Sequence, residues 1–417
     1  MSSESSSDEE EEISWYETLQ RIKRNDSCVD IIDPVGDDIQ NMTGEELEEL
    51  GKDIADNIHL VDVNLSLGAL NDHRTSIFFR GLTKSNSIRF MLLYDNGLSV
   101  EGIRSMVPFL QNTNNLTFLD LSDNNLQSEG FNVLLRALRD SPIETLRCNR
   151  CDITSIEIDS KLIPRNLEGL HLDGNIINAD GYRELAKLLH GEDATLRGLL
   201  LRSNEIDDDG VGILVNAIQN NKSLKKLELK ENKRISRHGN IMLLKLVNDI
   251  SSIDATLRSN HNLTYLLCAD DQIQKHIGDA TFINRNADSP EAAGREKVIQ
   301  TQLNSKKRAE LAALQGVNHS VYSEIDPLHL PEVLALVGRR HGQGELYVAL
   351  KSSIAGVIST VNREQCIEAQ MAYHASKLEE HASKLEQLGV ELAAIKAARG
   401  GRAQTGESHS SKRRRKW

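Results

Sequence analysis

The 417-residue sequence predicts an α/β solenoid of stacked repeats, followed by an α-helical region that contains a candidate short coiled coil. One pattern of leucines returns in the same frame eight times between about residues 58 and 275. The starts of these units lie 24 to 39 residues apart, which leaves room for a strand, a turn and a helix. In five units a glycine follows the pattern at a constant offset and precedes apolar residues at helical spacing, which predicts one buried helical stripe.

The pattern is clearest from Leu116 to Leu126, where LTFLDLSDNNL fits the form LxxLxLxxNxL, the signature of a leucine-rich repeat. The other units begin at Ile58, Ile88, Ile143, Leu167, Leu196, Leu224 and Leu263. The LxL stretch predicts a strand whose leucines point inward. The asparagine can hydrogen-bond backbone groups left open where the strand turns away. Each unit is too small to bury its own face, so neighbouring units must stack.

The order of strand, asparagine turn, glycine and long helix resembles the ribonuclease-inhibitor type of leucine-rich repeat, an intracellular subfamily. The resemblance covers residues 58–275, about half of the chain. It implies a horseshoe with parallel strands on the concave side and helices on the convex side. Two units depart from the pattern. The unit from Ile143 lacks the glycine-opened helix, and the unit from Leu224 carries about ten extra residues, which predict a longer helix or a loop.

The solenoid and its N-terminal cap helix are predicted to span residues 43–285. Thr43 and Glu46 form a capping box that starts the cap helix. Residues 1–42 are predicted to be an acidic disordered segment, because the tract Ser2 to Glu12 has too few apolar residues to be buried.

After a linker at 286–294, a helical region is predicted for residues 294–362 and a long helix for 363–398. The long helix has a heptad pattern with histidines at two core positions. Two interpretations stay open: the helix folds back on its own domain, or it forms a homodimer whose pairing depends on pH.

Residues 399–417 are predicted to be a basic disordered tail. Its cluster of basic residues is either a nuclear-import signal or a solvated tail. The cluster consists of Lys412, Arg413, Arg414, Arg415 and Lys416.

Composition argues against several classes of partner. The net charge of −13 repels nucleic acid and anionic membranes, and no apolar run is long enough to span a bilayer. Five cysteines indicate a reducing compartment rather than a disulfide framework, and the acidic start lacks the features of a signal peptide. We therefore expect an intracellular protein of the cytoplasm, the nucleus or both, with no membrane partner and no nucleic acid.

No motif predicts catalysis, a cofactor, a metal or a small-molecule substrate. Cys148 and Cys151 resemble half of a zinc site, but no second pair exists and both fall on core positions of their repeat. The run Gly342-Gln343-Gly344 lacks the preceding strand and further glycines of a phosphate-binding loop. We expect that the protein is not an enzyme.

Binding is instead predicted on the strand face, where the residues between the leucines point outward and form rows across the repeats. Phe90 and Phe118 should be neighbours, which leaves two interpretations: a binding hot spot, or accessory core beneath a terminal loop. The predicted partner-binding residues are Phe90, Tyr94, Phe118, Asp120, Arg147, Arg150, His171, Arg202, Lys226 and Glu228.

These features favour a non-catalytic scaffold or adaptor that binds a protein partner. An activator of a small GTPase is the alternative, because one branch of ribonuclease-inhibitor-like repeats resembles the Ran GTPase-activating proteins. Those proteins have an acidic C-terminal tail, whereas the acidic tract here is N-terminal. No catalytic residue of that branch aligns with a position of this chain. An enzyme inhibitor is a third possibility.

Overall fold

The computed structural model describes residues 14–34, 37–158, 164–190 and 194–317, together with Ala335. Nine strands in this part of the chain form one sheet, with every strand parallel to the next and in sequence order. The strands are β1 (Ile31–Ile32), β2 (Asp62–Asn64), β3 (Phe90–Leu92), β4 (Phe118–Asp120), β5 (Thr145–Arg147), β6 (Gly169–His171), β7 (Gly198–Leu200), β8 (Lys226–Glu228) and β9 (Tyr265–Leu267). Parallel neighbours joined by helical crossovers make a leucine-rich-repeat-like α/β solenoid, which confirms the predicted fold class.

Helices connect most of the strands. They are α1 (Trp15–Lys23), α2 (Gly44–Asp56), α3 (Asp72–Gly81), α4 (Val100–Asn112), α5 (Gln127–Ala137), α6 (Ala179–Lys187), α7 (Asp208–Ile218), α8 (Arg237–Asn248), α9 (Ile253–Arg258), α10 (Asp271–Asn286), α11 (Pro290–Lys297) and α12 (Ser305–Gln315). A π-helical turn, Val298–Gln302, follows α11. No helix is present in the described residues between β5 and β6, as expected for the unit that lacks the glycine.

The core lies between the sheet and the helices. The middle residue of each three-residue strand points into it, and the flanking residues point away. Leu116, Leu119 and Leu121 of the clearest repeat have no exposed surface. The first unit differs from the predicted frame: Leu60, and not Ile58, takes the first core position, since Asp62 pairs with Phe90.

Asparagine side chains connect successive repeats at the strand exits. The Nδ2 of Asn124 donates to the carbonyls of Leu93 and Leu121, both at 2.9 Å. Its Oδ1 accepts from the backbone N–H groups of Asn96 (3.0 Å) and Leu98 (2.9 Å). One side chain thus satisfies four buried backbone groups in two repeats. The buried asparagines at this repeat position are Asn96, Asn124, Asn175, Asn204 and Asn232.

Cys151 takes the asparagine position of its repeat. Its Sγ lies 3.2 Å from the Leu121 carbonyl oxygen, so the thiol replaces the amide as donor. Cys148 fills an inward leucine position and is fully buried. Burial raises the pKa of the Cys148 thiol, which favours its neutral form. The packing role inferred for this pair is confirmed.

At two of the five repeat positions, the glycine at a constant offset makes room for an aspartate of the preceding repeat. Asp72 accepts hydrogen bonds from the backbone N–H groups of Ser99 (2.8 Å) and Gly102 (2.9 Å) at the start of α4. A Cβ on Gly102 would lie 2.6 Å from that carboxylate. Asp208 and Gly239 repeat the arrangement at the start of α8, where the Cβ distance would be 2.4 Å. In these two repeats the glycine therefore lets an aspartate cap the next helix.

The ordered solenoid begins earlier than the sequence indicated. Helix α1 and strand β1 lie within the segment 1–42 that was predicted to be disordered, so that prediction is wrong for the described residues from 14 onward. Ile22 and Ile32 are buried, and the Asn57 side chain donates to the Ile22 carbonyl (3.1 Å). The buried apolar residues of this segment, Ile22, Val29, Ile32, Ile39 and Met42, do not follow the repeat pattern, so the sequence did not predict an additional unit. The acidic tract itself lies outside the described residues.

The predicted linker at 286–294 and the domain boundary beside it are also wrong. Helices α11 and α12 belong to the compact unit formed by the repeats. The extra residues before Leu263 form α9, and the loop that leads into it accepts the C-terminal helices. Gln315 donates to the Asn248 carbonyl (2.8 Å) and accepts from the Ile250 N–H (3.0 Å), and Gln302 donates to the Ser252 carbonyl (2.8 Å). The rest of 294–362, the heptad helix 363–398 with its possible homodimer, and the tail 399–417 lie outside the described residues.

A buried lysine and histidine also hold this C-terminal cap. Lys297 has no exposed surface, and its Nζ donates to the Val247 carbonyl (2.5 Å) and lies 3.0 Å from Nδ1 of His261. The Nε2 of His261 lies 3.0 Å from the Leu257 carbonyl, so Nε2 carries the proton and Nδ1 accepts. Burial, and then the neighbouring Lys297, lower the pKa of His261 to about 4. Burial lowers the pKa of Lys297 to about 7. Three groups oppose this lowering of the pKa of His261: the Leu257 carbonyl, Asn284 and Glu291.

We expect Asn124→Ala to lower the free energy of unfolding by about 3 kcal/mol, because four buried backbone groups lose their partner. Asn125→Ala is the matched control, since the neighbouring Asn125 is exposed. Urea unfolding followed by circular dichroism measures both. Equal losses in the two variants would contradict the role of the asparagine.

Acid should destabilise the C-terminal cap. Between pH 6.5 and 4, unfolded His261 binds a proton that the folded histidine does not. The free energy of unfolding therefore decreases as the pH is lowered from 6.5 to 4. This proton uptake by His261 lowers the free energy of unfolding by an amount on the order of 3 kcal/mol. Urea unfolding at pH 6.5 and pH 4 should show a smaller acid loss for His261→Gln than for wild type. The control His238→Gln, at an exposed site, should keep the wild-type loss; an unchanged loss in His261→Gln would refute the assignment.

Candidate partner-binding face

We define the strand face as the side chains of the first and third residues of β2–β9, which point away from the core. The register aligns them in two rows, as predicted. The first row is Asp62, Phe90, Phe118, Thr145, Gly169, Gly198, Lys226 and Tyr265. The second row is Asn64, Leu92, Asp120, Arg147, His171, Leu200, Glu228 and Leu267.

Aromatic rings and arginines meet at the β3–β5 end of this face. The ring centroids of Phe90 and Phe118 lie 6.0 Å apart at an interplanar angle of 47°. The guanidinium of Arg147 lies 4.9 Å from the Phe118 centroid, and that of Arg89 lies 5.8 Å from the Phe90 centroid. Phe90 keeps 36% of its surface exposed. The register brings together residues that are far apart in sequence, and we call these four residues the aromatic cluster.

Asp120 lies beneath the arginine of this cluster. Its carboxylate accepts from the Ser122 N–H (2.9 Å) and lies 3.6 Å from the guanidinium of Arg147. The Arg147 side chain is 40% exposed, whereas that of Asp120 is 10% exposed. The Nε of Arg147 is buried and has no hydrogen-bond acceptor among the described residues. The exposed charge at this point is therefore positive.

A second ring, cation and acid lie at the β8–β9 end. The Nζ of Lys226 is 5.0 Å from the Tyr265 ring centroid and 4.0 Å from the carboxylate of Glu228. The Lys226 side chain is 42% exposed and that of Glu228 is 13% exposed. Here too the cation is exposed and the acid is recessed.

Between these two ends the strand face has few side chains. Gly169 and Gly198 are direct partners in β6 and β7. A Cβ on Gly169 would lie 3.2 Å from the Thr145 side chain, whereas a Cβ on Gly198 would meet no atom within 4 Å, so the open space is at Gly198. His171 lies beside Gly169 in the second row. Burial, and then the charges of Arg147 and Lys226, lower the pKa of His171 to about 4, so its ring is neutral at pH 7.

Three predicted site residues do not join these groups. Tyr94 makes no ring contact with either phenylalanine within the described chain. Arg150, at the turn after β5, forms two 2.5 Å hydrogen bonds with Asp123. Arg202, after β7, pairs with Glu231, and this pairing lowers the pKa of Glu231 to about 2. Both arginines thus connect neighbouring repeats.

Sequence reasoning missed Arg89, Tyr265 and the two glycines as site residues. Tyr265, Gly169 and Gly198 stand in the same predicted row as Phe118, and that shared position was their signal. Arg89 precedes the strand and carried no signal. Only the packed structure shows which of these groups are exposed.

Neither a metal site nor a membrane span is present in the described ranges. They contain no group of three or more histidine, cysteine, aspartate or glutamate side chains that could hold a metal ion. None of their helices is both long enough and apolar enough to cross a membrane.

No protein-family model and no curated protein matches the sequence. Several solved structures are similar. A chain of the Rad7 and Elc1 complex in yeast is 16% identical over 57% of this chain and 70% of that chain, with a TM-score of 0.32. A chain of the TLR13–ssRNA13 complex is 18% identical over 51% of this chain and 33% of that chain (TM-score 0.27). The tropomodulin C-terminal domain from Caenorhabditis elegans is 10% identical over 65% of this chain and 92% of that chain (TM-score 0.22). The fold is therefore defined by the strand order and register of the chain itself.

The two interpretations of Phe90, hot spot and accessory core, predict different stabilities. Because the ring is partly exposed, we expect Phe90→Ala to change the free energy of unfolding by less than about 1 kcal/mol. Phe109→Ala, at a fully buried ring, should cost about 3–5 kcal/mol. Urea unfolding measures both. A loss for Phe90→Ala as large as that for Phe109→Ala would support accessory core.

Proposed function

We propose that this protein is a non-catalytic scaffold that binds a protein partner on its strand face. The aromatic cluster is the observation that carries this proposal. Phe90 is exposed although the chain has only seven phenylalanines, and its ring packs at a tilt against Phe118, which lies beside Arg147. Aromatic and arginine side chains dominate the binding energy of protein interfaces.

The cluster is also held rigidly. Phe90 and Phe118 project from paired strands whose middle residues, Met91 and Leu119, are fully buried. A partner that covers the rings therefore loses little of its binding energy to ordering this surface. Arg147 adds donors to the apolar surface, and such mixed surfaces are typical of hot spots.

Affinity capture from native cell lysate, quantified by mass spectrometry, tests this proposal. The baits are wild type, the triple variant Phe90→Ala/Phe118→Ala/Arg147→Ala and the control Phe282→Ala/Lys275→Ala. The control removes an exposed aromatic residue and a cation from α10. Circular dichroism first verifies equal folding. We expect the triple variant to lose partners that the control retains; retention of all partners by the triple variant would overturn the proposal.

The same experiment separates the scaffold from the GTPase-activator alternative. If a small GTPase is captured, its multiple-turnover GTP hydrolysis is measured with and without this protein. A scaffold leaves the rate unchanged, whereas an activator raises it by orders of magnitude.

A further inference from the structure

The strand face carries the same three components at two places. Each place has an aromatic ring, a cation within about 5 Å of it and a recessed acid: Phe118, Arg147 and Asp120 at one, and Tyr265, Lys226 and Glu228 at the other. The cation side chains are 40% and 42% exposed, and the acids only 10% and 13%. In a chain of net charge −13, a ligand approaching these two places meets positive charge.

The two cations still have donors to offer. Arg147 and Lys226 lie 3.6 and 4.0 Å from their acids, beyond the usual length of a hydrogen bond. By contrast, Arg150 lies 2.5 Å from Asp123 at a turn between repeats. The buried Nε of Arg147 has no acceptor among the described residues. A carboxylate placed above either cation would accept hydrogen bonds from its exposed N–H groups.

The paired glycines Gly169 and Gly198 lie between the two cations, and the gap that they leave favours a ligand with an extended backbone. From β5 to β8 there are three strand spacings of about 4.8 Å. Arg147 ends β5 and Lys226 begins β8, so they are also offset by two residues along the strands, and their backbones lie about 16 Å apart. Gly169 and Gly198 place no side chain on the face at the two intervening strands, although the Thr145 side chain borders Gly169. A Cβ on Gly198 would meet no atom within 4 Å, so this space is open. An extended segment can cross above Gly198 without a first-row side chain in its way.

Spacing along such a segment follows from strand geometry. Residues of an extended chain rise about 3.3 Å each, so four residues cover about 13 Å. Side chains at i and i+4 point to the same face. Two glutamates with three residues between them can therefore reach both cations, because their side chains extend the span of about 13 Å at each end.

We propose that the partner segment bound on the strand face is an extended acidic peptide, whose carboxylates at i and i+4 contact Arg147 and Lys226 across the Gly169–Gly198 gap. This inference rests on the proposed function and specifies the partner of that site. A nucleic acid fits less well, because its phosphates repeat at every nucleotide and would also lie beside Asp120 and Glu228.

Fluorescence anisotropy with labelled synthetic peptides tests the inference on the full chain. The probe is Gly-Glu-Thr-Val-Thr-Glu-Gly. One control, Gly-Glu-Glu-Thr-Val-Thr-Gly, keeps the charge and changes the spacing; the other, Gly-Lys-Thr-Val-Thr-Lys-Gly, reverses the charge. An oligothymidylate of about ten nucleotides represents nucleic acid. We expect the probe to bind at least about tenfold more tightly than each of the three controls.

Variants of the protein locate the binding. Arg147→Ala and Lys226→Ala should each weaken the probe about tenfold, which corresponds to one lost charge-assisted contact. Gly198→Leu fills the gap from a position where a Cβ meets no atom within 4 Å, and it should weaken the probe by at least as much. Gly278→Leu, also at a glycine with open space but on α10, should leave binding unchanged. Circular dichroism and urea unfolding verify that the variants are folded.

Several results would overturn the inference: no binding of the probe up to about 1 mM, equal binding of any control ligand, or full affinity in Gly198→Leu. Its failure is distinguishable from that of the proposed function. If the triple variant loses partners in the capture experiment but the probe does not bind, the scaffold stands and the acidic segment is wrong. If the triple variant retains every partner and the probe does not bind, both are wrong.

Discussion

Backbone hydrogen bonding at the strand exits is the constraint on which the rest of the structure depends. The chain leaves the sheet after only three residues, inside the core, where unpaired N–H and C=O groups are costly. A buried asparagine such as Asn124 satisfies these groups in its own repeat and in the preceding one. Asn175 keeps this bonding toward the repeat of β5, since its Oδ1 accepts from the N–H groups of Cys151 and Ile153, both at 3.0 Å. The Oδ1 of Asn204 is buried without a partner among the described residues.

This shared bonding determines the register, and the register determines the strand face. Because each strand pairs with the equivalent residue of the next, residues about 28 positions apart become direct neighbours. Phe90 thus meets Phe118, and Arg147 reaches the Phe118 ring. The same alignment places the two strand glycines side by side, so one rule of pairing produces both the aromatic cluster and the open space at Gly198.

The ends of the solenoid are closed by different means. At the N-terminus, α1 and β1 add a short unit whose apolar residues continue the core. At the C-terminus, Leu311 and Leu314 of α12 join the core, and polar contacts are added to this packing: Lys297 and Gln315 bond to carbonyls at the end of α8. Helix C-termini attract cations and donors, because their last carbonyls have no partner within the helix. The inserted helix α9 follows the loop that presents these groups.

The sequence by itself determined the repeat frame, the strand rows and the burial of Cys148 and Cys151, because the core positions recur with a local period. It could not determine β1, the role of α9 or the docking of α11 and α12, since each depends on few residues that contact distant parts of the chain. The repeat frame alone assigns Phe90, Phe118, Arg147 and Lys226 to the rows of the strand face. That the cations are exposed while Asp120 and Glu228 are recessed was decided only by tertiary packing, because exposure depends on neighbours that the linear sequence does not bring together.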